Sequence, residues 1–250
     1  MNANKYLILL TLIPILLTFI WFKDGIYLAA GEEGLPLYNS TRMFNYYKNV
    51  WVDASTGVPV PFGLSTLTFF GAASFLQHIG LSPWVIQAIL FFVILITPLI
   101  SMYKLSELLL PQAKNSTKFI ISLFYLFNLF TMSQVWQRFT YPLILLWSFL
   151  PLFLFFWIRW LEKHKVKDLI LFVFASFIFS YTFSMLVNIP TIWFPALIYW
   201  IFVIFKNKSK WRSLFFYGIV GILVWLISNI WWIYPLGQIK NTSFIEAAAF

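Results

Sequence analysis

Apolar positions dominate the chain in long blocks, and seven of these blocks are of the order needed to cross a bilayer, about 20 residues each. They run over roughly 6–22, 84–103, 119–132, 141–158, 169–187, 190–205 and 213–233. The third is short and is expected to extend into its flanks. The first, YLILLTLIPILLTFIWF, has the apolar run of a secretory signal. However, the residues before a cut near Ala30 read YLAA, a poor small-x-small site, and six more blocks follow. The block is therefore expected to remain as an uncleaved first helix.

One further stretch, LSTLTFFGAASFLQHIG over 64–80, is apolar but short and carries Ser, Thr, Gln and His. Charge decides its status. If it does not cross, the loops at 104–118, 159–168 and 206–212 share a side with the N-terminus, and twelve of the seventeen basic residues gather there. The other side keeps Lys23, Arg42, Lys48, Arg138 and Lys240. If it does cross, the basic loops face outward, against the rule that Lys and Arg stay inside. The pattern thus predicts an all-α polytopic protein with a single transmembrane domain over 1–250. Its N-terminus is cytoplasmic and its C-terminus outside. A long first outer loop, 23–83, lies outside the plasma membrane and carries interfacial helices.

Composition agrees. The chain is 61% hydrophobic, 22% aromatic and 10% charged, whereas a soluble domain uses about 25% charged residues. With no cysteine, there is no disulfide framework and no thiolate metal site. The net charge of +9 belongs to inner loops, so nucleic acid is not an expected partner. Phosphate-loop, dinucleotide, zinc and nucleophile-elbow spacings are absent from the sequence. His164, within RWLEKHKVKD, is expected in a solvated loop and His78 on an interfacial helix. Trp21, Trp84, Trp136, Trp193 and Trp231–Trp232 near outer ends, with Trp160 and Trp211 near inner ones, fit interfacial anchors. Gln87, Asn128, Asn188 and Asn229 fit interhelical hydrogen-bond partners.

Candidate chemistry concentrates in the first outer loop. It holds Asp24, Glu32, Glu33 and Asp53, four of the eight acidic residues, together with Arg42, Lys48 and Trp51. The adjacent Glu32 and Glu33 sit between Gly31 and Gly34. Neighbouring carboxylates raise each other's proton affinity, which suits a general base; a solvated turn is the plainer alternative. In NSTRMFNYYKNVW, Asn39 or Ser40 can cap a short helix. Met43, Tyr46, Tyr47 and Val50 recur at helical steps, so this helix is expected to be amphipathic and to lie along the membrane.

A first transmembrane helix, an acidic motif early in a long outer loop and juxtamembrane helices together resemble the GT-C class of glycosyltransferases. The likeness is to the α-(1→3)-arabinofuranosyltransferase family and its prokaryotic relatives. It runs through GEEGLPLYN, NVWVDASTGVPVPFG, GLSPWVIQAI and SQVWQRFTYPLILLWSFLPL, across most of residues 20–155. Members of that family are longer, so the chain reads as an N-terminal part. In the family the acidic motif opens with Asp, and here Glu32 takes that place. The resemblance implies transfer of a sugar from a polyprenyl-phosphate donor to a glycan or lipid acceptor outside the membrane, with inversion. It implies Glu32 as base, supported by Glu33, with Arg42 and Arg138 for the lipid phosphate and Trp51 and Asp53 for substrate. It also leaves room for a divalent cation as cofactor. The alternatives are a transporter or flippase of lipid-linked sugars, and a structural membrane subunit. Against transport, no charged residue falls mid-span and no internal repeat is visible.

Overall fold

Inside a bilayer every backbone N–H and C=O must be satisfied within the segment, so long apolar runs become helices. The computed structural model follows this over the residues it describes, 3–26, 28, 36–49, 51–52, 58–59 and 61–238. In chain order these form α1 (Ala3–Phe22), α2 (Ser40–Tyr47), a two-residue antiparallel pair β1 (Trp51–Val52) and β2 (Val58–Pro59), α3 (Pro61–Leu64) and α4 (Leu67–His78). Then come α5 (Pro83–Leu109), α6 (Asn115–Phe127), a π-helical turn (Thr131–Trp136), α7 (Tyr141–Lys163) and α8 (Val166–Ile178). A 3-10 turn (Ser180–Ser184), α9 (Asn188–Lys206), a 3-10 turn (Lys208–Lys210), α10 (Trp211–Ser228) and α11 (Ile230–Gln238) complete the order.

Six helical segments among the described residues are long and apolar enough to cross a membrane: Asn4–Phe22, Pro83–Leu109, Asn115–Trp136, Tyr141–Lys163, Asn188–Lys206 and Lys208–Ser228. The expected short third block is indeed prolonged, through the π-helical turn. By contrast α4, with 12 residues, is only about 18 Å long, too short for a hydrocarbon core of about 30 Å.

Side-chain pairs fix the register of the bundle. α5 and α7 form its centre and run parallel: Gln87 Nε2 donates to Tyr141 Oη at 3.1 Å and Ser148 Oγ to Ile94 O at 2.8 Å. α1 lies antiparallel on α5, with Trp21 and Phe22 against Phe91, and Tyr6 meets Phe119 of α6. α8 returns along α7: Arg159 pairs with Asp168 at 2.8 Å, Phe153 meets Phe172, Phe149 stacks on Phe179 and Tyr141 on Tyr181. α9 runs parallel to α7, with Asn188 near Pro142 and Trp157 Nε1 donating to Ala196 O. It follows that Lys5, Lys104, Lys118, Arg159, Lys206 and Arg212 share one end of the bundle with their neighbouring lysines, which we term the basic end. α2, α3 and α4 pack at the other, the loop end.

Several expectations need correction. The block at 169–187 is not one helix. α8 stops after 13 residues, where Thr68 Oγ1 donates to Ile178 O at 3.2 Å and Ser180 Oγ to Ser65 O at 2.6 Å. These bonds draw the chain into a 3-10 turn. The block at 213–233 breaks at Asn229, whose Nδ2 donates to Trp225 O while its Oδ1 accepts from Trp232 Nε1. Asn229 and Asn128 therefore act locally, Asn128 Oδ1 accepting from Thr131 N at the start of the π turn. Trp160, Trp193 and Trp232 are buried in the bundle rather than placed as anchors; Trp193 packs edge-on against Phe153, Trp157 and Trp225. His164 is half-buried and stacked on Tyr217 at 3.8 Å, not solvated.

Candidate functional site

The loop end is built around α2. Asn39 caps this helix, its Oδ1 accepting from Arg42 N at 2.9 Å. One face of α2 docks on α4. Gln77 Oε1 accepts from both Thr41 N (2.9 Å) and Thr41 Oγ1 (3.1 Å), and Tyr47 stacks on Phe70 at 5.6 Å. Gly63 makes room for this ring, since a Cβ there would lie 2.3 Å from Tyr47 Cδ1. A helix therefore forms where the sequence places one, but it docks through Thr41, Phe44 and Tyr47; of the face expected to be apolar, Tyr46 stays exposed.

Beside this docked face the helix is open. Pro36, Tyr38, Asn39, Arg42, Met43, Tyr46 and Tyr47 line a groove of about 450 Å³. Tyr38 is 68% exposed and Tyr46 40%, and Arg42 is exposed beside them. Flat tyrosine faces offer apolar contact with a hydroxyl at the rim. The arginine adds a charged fork that suits carboxylate or phosphate oxygens. A ligand with C–H faces, hydroxyls and a phosphate meets complementary groups here.

Arg138 lies at the same end of the bundle, between the π-helical turn and α7. It follows the π-helical turn Thr131–Trp136 and precedes Phe139, which holds a left-handed backbone at φ 49°. That conformation costs a bulky residue on the order of 1–3 kcal/mol. Packing enforces it: Phe139 is buried, stacked on Phe91 at 5.6 Å and edge-on to Tyr141. π-helical turns and strained residues recur at functional positions, so two backbone irregularities flank an exposed arginine. A run of ring contacts, Phe139–Tyr141–Phe69–Phe70–Tyr47, connects this turn to the groove on α2.

Of the residues expected at the site, Arg42 and Arg138 thus lie at one end of the bundle. Glu32, Glu33 and Asp53 fall outside the described residues, as does the side chain of Trp51, whose backbone belongs to β1. Tyr38 and Asn39 were not picked out for binding; the only signal was their position beside Arg42 in PLYNSTR. Gln87 does reach another helix at Tyr141, yet its main hold is on the first loop. It is fully buried, its Oε1 accepting from Leu28 N at 2.8 Å and its Nε2 donating to Leu28 O at 2.7 Å. His78 is exposed, and its Nδ1 lies 2.8 Å from Ser74 O against 3.4 Å from Ser74 Oγ. The ring is thus held by the backbone and is not poised to activate the serine. Among the described residues no group of three or more His, Asp or Glu side chains forms a cation site. No family model matches the chain, and neither a curated protein nor a solved structure matches it.

Proposed function

We propose that the chain is a glycosyltransferase of GT-C type working at the loop end of the bundle, on a polyprenyl-phosphate sugar and a glycan or lipid acceptor. The observation that carries this reading is the groove along α2, in which exposed tyrosines and Arg42 stand together at the loop end of the bundle. In sequence, Glu33 precedes Pro36 by three residues, and a chain reaches at most about 3.6 Å per residue. In this reading Glu32 takes the proton of the acceptor hydroxyl, whose oxygen attacks the anomeric carbon. The lipid phosphate leaves with the bonding electrons, and the centre inverts. Arg42 and Arg138 neutralise the leaving phosphate, where a planar fork exceeds a point charge. Asp53 and Trp51 complete the acceptor side. The flippase alternative is less favoured. Among the described residues the buried charged side chains, Lys118 and Asp168, lie at the basic end and not at mid-membrane, where transport sites collect.

The test is sugar transfer by the purified protein in nanodiscs. Glu32→Gln keeps shape but accepts no proton, and base catalysis contributes about 10²–10⁴ in rate. Transfer is expected to fall by that order with donor binding near normal, and Glu33→Gln to cost less. Full activity in Glu32→Gln, Glu33→Gln and Asp53→Asn alike would sink the mechanism.

The reading also sets orientation, with the basic end in the cytoplasm and α8 plus its 3-10 continuation as a seventh crossing. The chain has no cysteine, so single cysteines at positions 55, 116 and 209 report cleanly. An impermeant thiol reagent on intact cells should label only Ser55→Cys. Labelling of Ser209→Cys without Ser55→Cys would reverse the topology.

A further inference from the structure

A cavity of about 240 Å³ lies at the basic end, between the last turns of α7 and α9 and the start of α10. Its walls are held firmly. Trp200 Nε1 donates to Leu214 O at 2.9 Å and Trp160 Nε1 to Tyr217 O at 2.8 Å. Two glycines let α10 lie flush on these indoles: a Cβ at Gly218 would fall 2.0 Å from the Trp200 ring, and one at Gly221 2.6 Å from Trp157. Close packing of this kind leaves the three helix ends little freedom to slide.

The lining is polar on one side and apolar on the other. Lys206 and Lys210 supply positive charge, and Glu162 faces them with its Oε1 accepting from Tyr199 Oη at 2.7 Å. His164 ends α7 in a left-handed conformation, φ 55°. Its ring is stacked on Tyr217 at 3.8 Å, which fixes this wall of the cavity. On the apolar side Phe202 is 56% exposed on the bundle surface, and Lys206 Nζ sits 5.8 Å from its ring centroid. The cavity therefore lies where a basic surface meets a lipid-facing ring. Its volume equals about eight waters at ~30 Å³ each, the scale of a small headgroup.

We infer that this cavity binds the headgroup of an anionic phospholipid bearing free hydroxyls, of the phosphatidylglycerol type. The phosphate sits between Lys206 and Lys210, a headgroup hydroxyl donates to Glu162, and the acyl chains leave past Phe202. Glu162 disfavours a headgroup with a second negative charge, as in phosphatidic acid, while the two lysines against one carboxylate leave the lining net positive and favour a net anionic headgroup over a zwitterionic one. The site is at the opposite end from the glycosyltransferase reading and does not depend on it.

The test is native mass spectrometry of the whole purified chain in neutral detergent, titrated with phosphatidylglycerol, phosphatidylcholine, phosphatidylethanolamine, phosphatidic acid and inorganic phosphate. Phosphatidylglycerol should bind most tightly and inorganic phosphate negligibly. The exposed pair Lys206→Gln/Lys210→Gln should weaken phosphatidylglycerol about thirty-fold, from about 1 kcal/mol per lysine near the surface, with melting unchanged. Glu162→Gln should close the gap between phosphatidylglycerol and phosphatidic acid. The control pair Lys5→Gln/Lys114→Gln, at the same end, should change nothing. Equal weakening by the control pair would mean diffuse charge and overturn the site. So would phosphatidylcholine or phosphatidylethanolamine binding as well as phosphatidylglycerol, or free phosphate competing at lipid concentrations.

Discussion

The two ends of the bundle are fastened by different chemistry. At the loop end, amides and hydroxyls grip backbone across long stretches of sequence: Gln87 on Leu28, Gln77 on Thr41, Ser180 on Ser65. At the basic end, indole N–H groups of Trp160 and Trp200 reach α10 carbonyls, and the Arg159–Asp168 pair pins α8 to α7. The difference follows from what each end must hold. The basic end joins long helices already satisfied internally, so apolar contact with a few polar pins suffices. The loop end holds short helices and irregular chain, whose backbone groups need side-chain partners wherever water is excluded.

The largest effect should come from the basic end. Asp168 is fully buried, and its contact with Arg159 is close in distance but offers its oxygens no aligned hydrogen bond. Arg159→Met leaves that carboxylate uncompensated, a loss of about 3–5 kcal/mol in chemical unfolding in detergent. Adding Asp168→Asn should restore much of it, because the two sites are coupled. A cost under 1 kcal/mol would show the pair to be an ordinary surface bridge and blunt the contrast between the ends.

An intermediate effect is expected at Gln87. Gln87→Leu strands the N–H and C=O of Leu28, at about 1–3 kcal/mol for an unsatisfied buried group. The loss should be local. Amide exchange at Leu28 and in α2 should rise while α7–α10 keep their protection; uniform loss of protection would make Gln87 a global core residue instead. The smallest effect is at Asn39, where Asn39→Ala removes the α2 cap for about 1 kcal/mol. Faster exchange confined to Thr41, Arg42 and Met43 would sharpen the picture of the loop end as separable units.

Hydropathy made the long helices legible because it measures transfer from water to lipid, which is what a span undergoes. The α2 helix was legible from its cap, but its docked face was not: Thr41, Phe44 and Tyr47 pack on α4 while Tyr46 stays exposed. Tryptophan placement was not, because lipid and bundle interior are equally apolar and hydropathy cannot distinguish Trp193 facing in from Trp193 facing out. The breaks at Phe179 and Asn229 were partly written: Ser180, Tyr181, Thr182 and Ser184 interrupt one block and Asn229 the other. What the pattern lacked was the partner, Ser65, 115 positions away. At the candidate site Arg42 and Arg138 stood out by charge. The left-handed Phe139 beside Arg138 did not, since the rings of Phe91 and Tyr141 that pack on it come from two helices.

The two glutamine grips also make a closed ring of chain. Gln87 clasps Leu28 and Gln77 clasps Thr41, and the helices that carry them are neighbours in sequence. Both glutamines flank the single turn that joins α4 to α5, so Leu28 and Thr41 are moored to one short run of chain. A change in the length of the α4–α5 turn would shift the two moorings relative to each other, while the contacts that hold α8, α9 and α10 to α7 stay as they are.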